Sequence, residues 1–184
     1  MKQLLKLTGC LALAGLFASC QSAQQEANYQ IIPMPQEMVT AQGTPFILKS
    51  GVKILYPEGN EKMQRNAQFL ADYLKTATGK DFAIEAGTEG KNAIVLTLDA
   101  ANENPESYQL KVAGDGITIA GPTEAGVFYG IQSLRKSLPV AVGADISMPA
   151  VEINDAPRFG YRGAHFDTSR HFFTVDEVKT YIDM

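Results

Sequence analysis

The chain has 184 residues, 45% of them hydrophobic and 20% charged. That balance excludes a disordered or collagen-like chain, and the length excludes a complete (β/α)8 barrel, which needs roughly 250 residues. The net charge is −4, with no Lys/Arg stripe and no basic cluster with interleaved aromatics, which excludes a nucleic-acid partner.

Residues 1–20 read as a lipoprotein signal peptide. Lys2 and Lys6 supply the positive end, and Leu7 to Phe17 is an apolar run too short to span a bilayer as a mature helix. The run ends in Leu16-Phe17-Ala18-Ser19-Cys20, small residues directly before a Cys, which resembles the site where bacterial lipoproteins are cleaved and lipidated. Leu7-Thr8-Gly9-Cys10 fits the same local pattern, but little apolar segment precedes it. The expectation is lipidation at Cys20, and an exported lipoprotein anchored to a membrane in the periplasm or outer membrane of a bacterium. An ordinary cleaved signal with an incidental Cys is the alternative. Either way Cys10 leaves with the signal, and no internal disulfide can form. Residues 21–28, rich in Gln, Ala and Ser, read as a flexible tether.

From Tyr29 the pattern is that of a folded domain. Ile31-Ile32-Pro33-Met34-Pro35 is an extended entry, because each Pro biases its predecessor away from helix. Pro45 to Leu48 and Val52 to Tyr56 are predicted strands around a Ser50-Gly51 turn. Glu61 to Ala77 is a predicted helix, with Met63, Ala67, Leu70, Leu74 and Ala77 forming one apolar stripe and Gly79 placed to end it. Phe82 to Glu85 and Ala93 to Leu98 are predicted strands, the second apolar enough to be central. Tyr108, Leu110 and Val112 alternate with polar residues, and so do Ile117 and Ile119 after Gly114-Asp115-Gly116, which predicts a hairpin.

A second helix is predicted from Glu124 to Leu138, with Thr123 as N-cap and Val127, Ile131, Leu134 and Leu138 buried. Gly130 inside it costs about 1 kcal/mol relative to Ala. Either close packing on a sheet or simple tolerance would explain it. Pro139 ends the helix, and Met148 to Ile153 is one more predicted strand. The order gives an α+β fold: a mixed β-sheet with two helices on one face. This stretch, residues 29–153, has no His and no Cys, and its scattered carboxylates read as solvated turns and polar faces.

Residues 154–184 carry the denser information. After the turn-rich Asn154 to Phe159, Tyr161 to Asp167 is a predicted strand and 169–173 a loop. Thr174 opens a helix, and Glu177 three residues later fits a capping box. Strand, loop and helix make one β/α unit. Arg162, His165, Asp167, Arg170 and His171 crowd into it, including both histidines of the chain.

Asp155-Ala156-Pro157-Arg158-Phe159-Gly160-Tyr161-Arg162-Gly163, followed by Asp167-Thr168-Ser169-Arg170-His171, resembles the start of the catalytic domain of glycoside hydrolase family 20, the β-N-acetylhexosaminidases. Tyr108-Gln109-Leu110, Gly126-Val127-Phe128-Tyr129-Gly130 and Gln132-Ser133-Leu134 are similar to the accessory domain before that family's barrel, and Ile32-Pro33-Met34-Pro35-Gln36 to its entry. Arg135-Lys136-Ser137 departs from the Gln- and Leu-rich sequence more common there.

The resemblance implies that 154–184 begin an incomplete (β/α)8 TIM barrel, so that the chain is the N-terminal part of a longer enzyme. It implies substrate-assisted retaining hydrolysis of terminal non-reducing N-acetylglucosamine or N-acetylgalactosamine residues of glycans. The sugar's acetamido carbonyl attacks C1, an Asp polarises that amide, and an adjacent Glu protonates the leaving oxygen. That Asp-Glu pair lies further along the family's chain, so this stretch alone is expected to be inactive. Asp176-Glu177 is not taken for it, because a first helical turn and a capping box account for both.

By the same resemblance Arg162 hydrogen-bonds sugar hydroxyls, a task suited to a planar, always-charged fork. Pairing with a nearby acid such as Asp167 is the competing role. Asp167, Arg170 and His171 are expected to form a supporting network, and His165 to point either to the site or into barrel packing. No Cys/His spacing suggests a metal, and no cofactor is implied. The competing function is a non-catalytic carbohydrate-binding lipoprotein, against which the absence of Trp for sugar stacking argues. Oligomeric state is not read from the sequence.

Overall fold

The computed structural model describes residues 25–99 and 103–184. The predicted signal, with Cys20, lies outside the described residues. Ten strands and three helices are present among the described residues. A seven-stranded sheet contains β2 (Glu37–Thr40), β4 (Lys53–Tyr56), β5 (Ile84–Ala86), β6 (Ala93–Leu98), β7 (Tyr108–Ala113), β8 (Gly116–Gly121) and β10 (Val151–Asp155). Their order is β2-β10-β7-β8-β6-β4-β5. The β8-β6-β4-β5 half is parallel and the β2-β10-β7-β8 half antiparallel, so the sheet is mixed. A smaller sheet holds β1 (Gln25–Glu26), β9 (Ile146–Met148) and β3 (Phe46–Leu48) in the order β1-β9-β3.

Helices α1 (Glu61–Thr78) and α2 (Glu124–Ser137) pack on each other and on the large sheet. Their stripes, Met63, Ala67, Leu70 and Leu74 with Val127, Ile131 and Leu134, share one core with Ile94, Leu96, Leu110, Ile117, Ile119 and Ile153. Both helices therefore cover one face, as the alternation and periodicity predict. Phe46, Leu48, Ile146 and Met148 bring the small sheet into the same core. Gln109, Lys111 and Thr118, the alternate residues of β7 and β8, are exposed, while Leu55, Ala93 and Val95 form a small second cluster.

Local chemistry sets the ends. Asn60 caps α1 by accepting from the amides of Lys62 and Met63, and Gly79 closes it at φ 72°. Thr123 caps α2, and Leu138 before Pro139 stops it. Gly130 is explained by packing: a Cβ there would stand 2.5 Å from Ile119 Cγ2. The β7–β8 hairpin turns on Gly114-Asp115. Gly114 is needed for space, because a Cβ would meet Thr44 Oγ1 at 2.2 Å.

Four expectations change. Residues 25–28 are not a free tether, because Gln25 and Glu26 pair with Ile146 and Ser147, and Ala27 is buried. The predicted strand Met148 to Ile153 is two strands in different sheets. Pro149 and Ala150 separate them, since Pro lacks the N–H that would continue a ladder. β2, which the sequence did not announce, pairs with β10 at the sheet edge with all four residues exposed.

Last, 161–167 do not form a strand. A parallel strand needs neighbours on its edges, and among the described residues none lies beside this segment. Only the helical half of the predicted unit appears, as α3 (Val175–Asp183), which begins with the expected Thr174–Glu177 capping box.

Candidate functional site

The ends of several elements meet at one corner of the large sheet. β7 begins at Tyr108, directly opposite Asp155 at the end of β10, and α2 crosses behind them. A groove of about 680 Å³ opens there. The entry segment Ile31–Gln36, the α2 residues Tyr129, Gln132 and Lys136, the junction Asp155–Phe159, and Arg162 line it.

Its floor is a hydrogen-bonded trio. The buried Tyr108 hydroxyl donates to Asp155 Oδ2 at 3.0 Å, which leaves Ser133 Oγ to donate to the Tyr108 oxygen. Burial pushes the Tyr108 hydroxyl well above the usual phenol range, and the Asp155 charge adds to the effect. Asp155 Oδ1 accepts the Gln36 amide at 3.1 Å, and Gln36 Nε2 donates to Ala156 O at 2.6 Å. The trio thus ties the entry segment to the point where the chain leaves the sheet.

Arg162 forms the rim. Its Nη2 donates to Glu106 Oε1 at 2.6 Å, and its Nη1 donates to the Phe159 carbonyl. Tyr129 donates its hydroxyl to the same Glu106 oxygen at 3.1 Å. The Arg162 guanidinium, then the Tyr129 hydroxyl, hold the Glu106 carboxyl below its ordinary range. Glu106 in turn raises the Arg162 pKa. Arg162 is therefore paired with an acid, but with Glu106 and not with Asp167.

Asp167 and Arg170 are brought together. Asp167 Oδ1 accepts the Ser169 amide at 2.8 Å, and Oδ2 accepts Arg170 Nε at 2.7 Å. The Ser169 amide, then the Arg170 side chain, lower the Asp167 pKa. His171 lies edge-on to Phe173 at 4.8 Å, and Phe166 packs between Phe173 and Tyr181. That aromatic cluster links the loop to α3. His165 is exposed. Glu177 is held below its ordinary range by the Thr174 amide and hydroxyl, both of which donate to its Oε2, so the carboxylate serves the cap. Among the described residues, no three His, Cys, Asp or Glu side chains gather as a metal site.

Glu106, Tyr129 and the Tyr108–Ser133–Asp155 trio were not singled out by residue pattern. Glu106 reads as one of the solvated carboxylates of 29–153 and Asp155 as the first residue of the family-like motif, and their partners lie up to 119 positions away in sequence. The one signal that covered them is their place in the resembling segments.

The family model described as glycosyl hydrolase family 20, domain 2, matches residues 28–156. A β-hexosaminidase of Porphyromonas gingivalis is 33% identical, over 94% of this chain and 24% of that protein. A β-N-acetylhexosaminidase of Cellulomonas fimi is 29% identical, over 84% of this chain and 31% of its own length. Among solved structures, the family 20 β-N-acetylhexosaminidase of Streptomyces coelicolor A3(2) superposes with a TM-score of 0.73 at 33% identity, covering 88% of this chain and 33% of that one. A Streptomyces plicatus β-hexosaminidase variant in complex with its product GlcNAc gives 0.69 at 34% identity, covering 83% of this chain and 31% of that one. The chain spans about a quarter to a third of the length of these relatives.

Proposed function

The chain belongs to glycosyl hydrolase family 20, and from that premise we propose that it forms the accessory domain and opening catalytic segment of an exported β-N-acetylhexosaminidase. The enzyme removes terminal non-reducing N-acetylhexosamine residues from glycans by substrate-assisted retaining hydrolysis. The observation that carries this reading is the unbroken run from the family's domain 2 at residues 28–156 into Arg158-Phe159 and Arg162-Gly163.

In this reading Arg162 is the sugar-binding side chain contributed by these residues. Guanidinium offers five N–H donors, so donors remain for sugar hydroxyls beyond those given to Glu106 and Phe159. Fixing the fork in advance lowers the entropy lost when hydroxyls bind. The segment 161–167 becomes the first barrel strand once neighbouring strands supply its hydrogen bonds, and Asp167 and Arg170 brace the loop that follows. The acid Glu and the amide-polarising Asp come from the family's later sequence, so the 184 residues alone do not turn over.

Export rests on the positive end and apolar run of residues 1–17, and anchoring on acylation of Cys20. The test is hydrolysis of 4-nitrophenyl N-acetyl-β-D-glucosaminide by the product of the complete reading frame and by the 184-residue polypeptide. Release by the first and none by the second is expected. No turnover by the complete product refutes the activity, and turnover by the 184 residues refutes their inactivity.

A further inference from the structure

Two neighbouring valines are among the exposed apolar side chains of the fold, together with Ile32 and Met34 of the entry segment. Val140 and Val142 are 80% and 72% exposed, in the loop between α2 and β9. The loop's backbone is nevertheless fixed. Ala141 N donates to Ala77 O, Gly143 N donates to Thr78 O at 2.8 Å, and Ala141 itself is buried. The valines are thus held outward on a rigid turn, beside the C-terminal end of α1.

The charges around them are neutralised in pairs. Lys80 pairs with Asp145 and also donates to Ala144 O, and Lys75 pairs with Asp81 at 2.8 Å.

The second observation is the route of the chain. β1 runs parallel to β9, with Gln25 opposite Ile146. Gln25, the first described residue, therefore lies at the end of the small sheet where Asp145 and the valine loop enter it. Five peptide steps separate Cys20 from Gln25, a reach of at most about 18 Å. An acyl group on Cys20 would hold the domain against the bilayer by this end, with the valine loop on the side facing the lipid.

We propose that the Val140–Val142 loop is a membrane-contact surface that seats the anchored domain on the lipid headgroup region. The proposal rests on the reading of Cys20 as an acylated anchor. An acyl anchor restrains distance but not orientation. Two apolar side chains on a neutral, rigid turn select one orientation by entering the headgroup boundary, where such residues reach about 5–10 Å deep. The first turn of α1, at its far end, then points away from the membrane, roughly 25 Å along the helix axis.

The test uses the full precursor, exported and purified from a bacterial host, in vesicles of phosphatidylethanolamine and phosphatidylglycerol. Residues 21–184 hold no cysteine, so a single cysteine placed among them is the one thiol of that stretch, and the unsubstituted parent, labelled in parallel, reads any thiol elsewhere. Val140→Cys, Val142→Cys and, as the distant control, Lys62→Cys are labelled with an NBD fluorophore; all three positions are exposed. Mass spectrometry of the N-terminal peptide reads the acylation.

The expected result is a blue shift at both loop positions and quenching by nitroxide-bearing lipid several-fold stronger than at position 62. Acylated protein whose loop labels behave like the control overturns the contact surface and leaves the anchor standing. A mature N-terminus without acyl groups overturns the anchor, and the contact surface with it.

Discussion

Replacing Gly130 by alanine should destabilise the chain, although alanine is the better helix former. In an exposed helix interior the substitution would gain about 1 kcal/mol. Here the new methyl would stand 2.5 Å from Ile119 Cγ2 and 3.1 Å from Tyr108 Cδ2, against an ordinary carbon contact of about 3.5–4.0 Å. Neither neighbour can yield cheaply. Ile119 is fully buried on β8, hydrogen-bonded on both sides by β6 and β7. Tyr108 is held by Ser133 and Asp155.

Overpacking of a rigid site costs about 2–3 kcal/mol, which leaves a net loss of about 1–2 kcal/mol after the helical gain. Urea unfolding of the 184-residue chain, followed by circular dichroism, should show a lower midpoint at an unchanged slope. A midpoint at or above the parent's refutes the close-packing account of Gly130. A double-mutant cycle locates the cause. Ile119→Ala removes the methyl that is struck, so Gly130→Ala should cost markedly less in its presence. Strict additivity refutes Ile119 as the origin.

Gly126→Ala should cost more than Gly130→Ala, because its Cβ would meet the Ser107 carbonyl oxygen at 2.2 Å, and a backbone atom cannot rotate away; the same urea series ranks the two, and the reverse order refutes the argument. Asn60→Ala removes the α1 cap and the bond to Glu124 Oε1 at 3.0 Å, with an expected loss of about 1–2 kcal/mol by the same melt; an unchanged midpoint refutes it. Glu106→Gln should loosen residues 157–163 at neutral pH, read as faster amide exchange there and unchanged exchange in the core strands β6 and β8; equal rates in parent and variant refute the latch.

The same latch fixes the sign of a pH effect. Because the folded-state pKa of Glu106 lies below its unfolded value, the carboxylate's contribution is complete above the unfolded pKa, about 4.3. It is lost as pH falls through the lower folded-state value. The parent should therefore lose protection at 157–163 only at acid pH, with Glu106→Gln already loosened at pH 7. Protection that rises on acidification refutes the assignment.

What was legible in the sequence is what short windows encode. The stripes of α1 and α2, the caps at Thr123 and Thr174, and the alternation of β7 and β8 each lie within a single helix, one helical turn or a single hairpin. β2 was not legible because its four exposed residues carry no buried alternation, and its existence depends on the free edge of β10. The strand predicted at 161–167 does not form, since a strand is defined by partners that the segment does not contain.

The site divides along the same line. Local motif singles out Arg162, yet its partner comes from topology. β7 lies between β10 and β8, which sets Tyr108 against Asp155, while α2 packs across β7 and β8 and carries Tyr129 to the same corner. Glu106, two residues before β7, then stands beside Tyr129 and Arg162. The fold matched by the family's domain 2 thus meets the segment that follows it through Arg162, the side chain proposed to bind sugar, a coupling that no window around residue 162 could reveal. In the proposed hexosaminidase, with Arg162 in its proposed role, loss of Glu106 should raise KM through a mobile Arg162 more than it lowers kcat, and Glu106→Asp should partly restore it. An Ala variant with unaltered KM would confine Glu106 to holding the domain together.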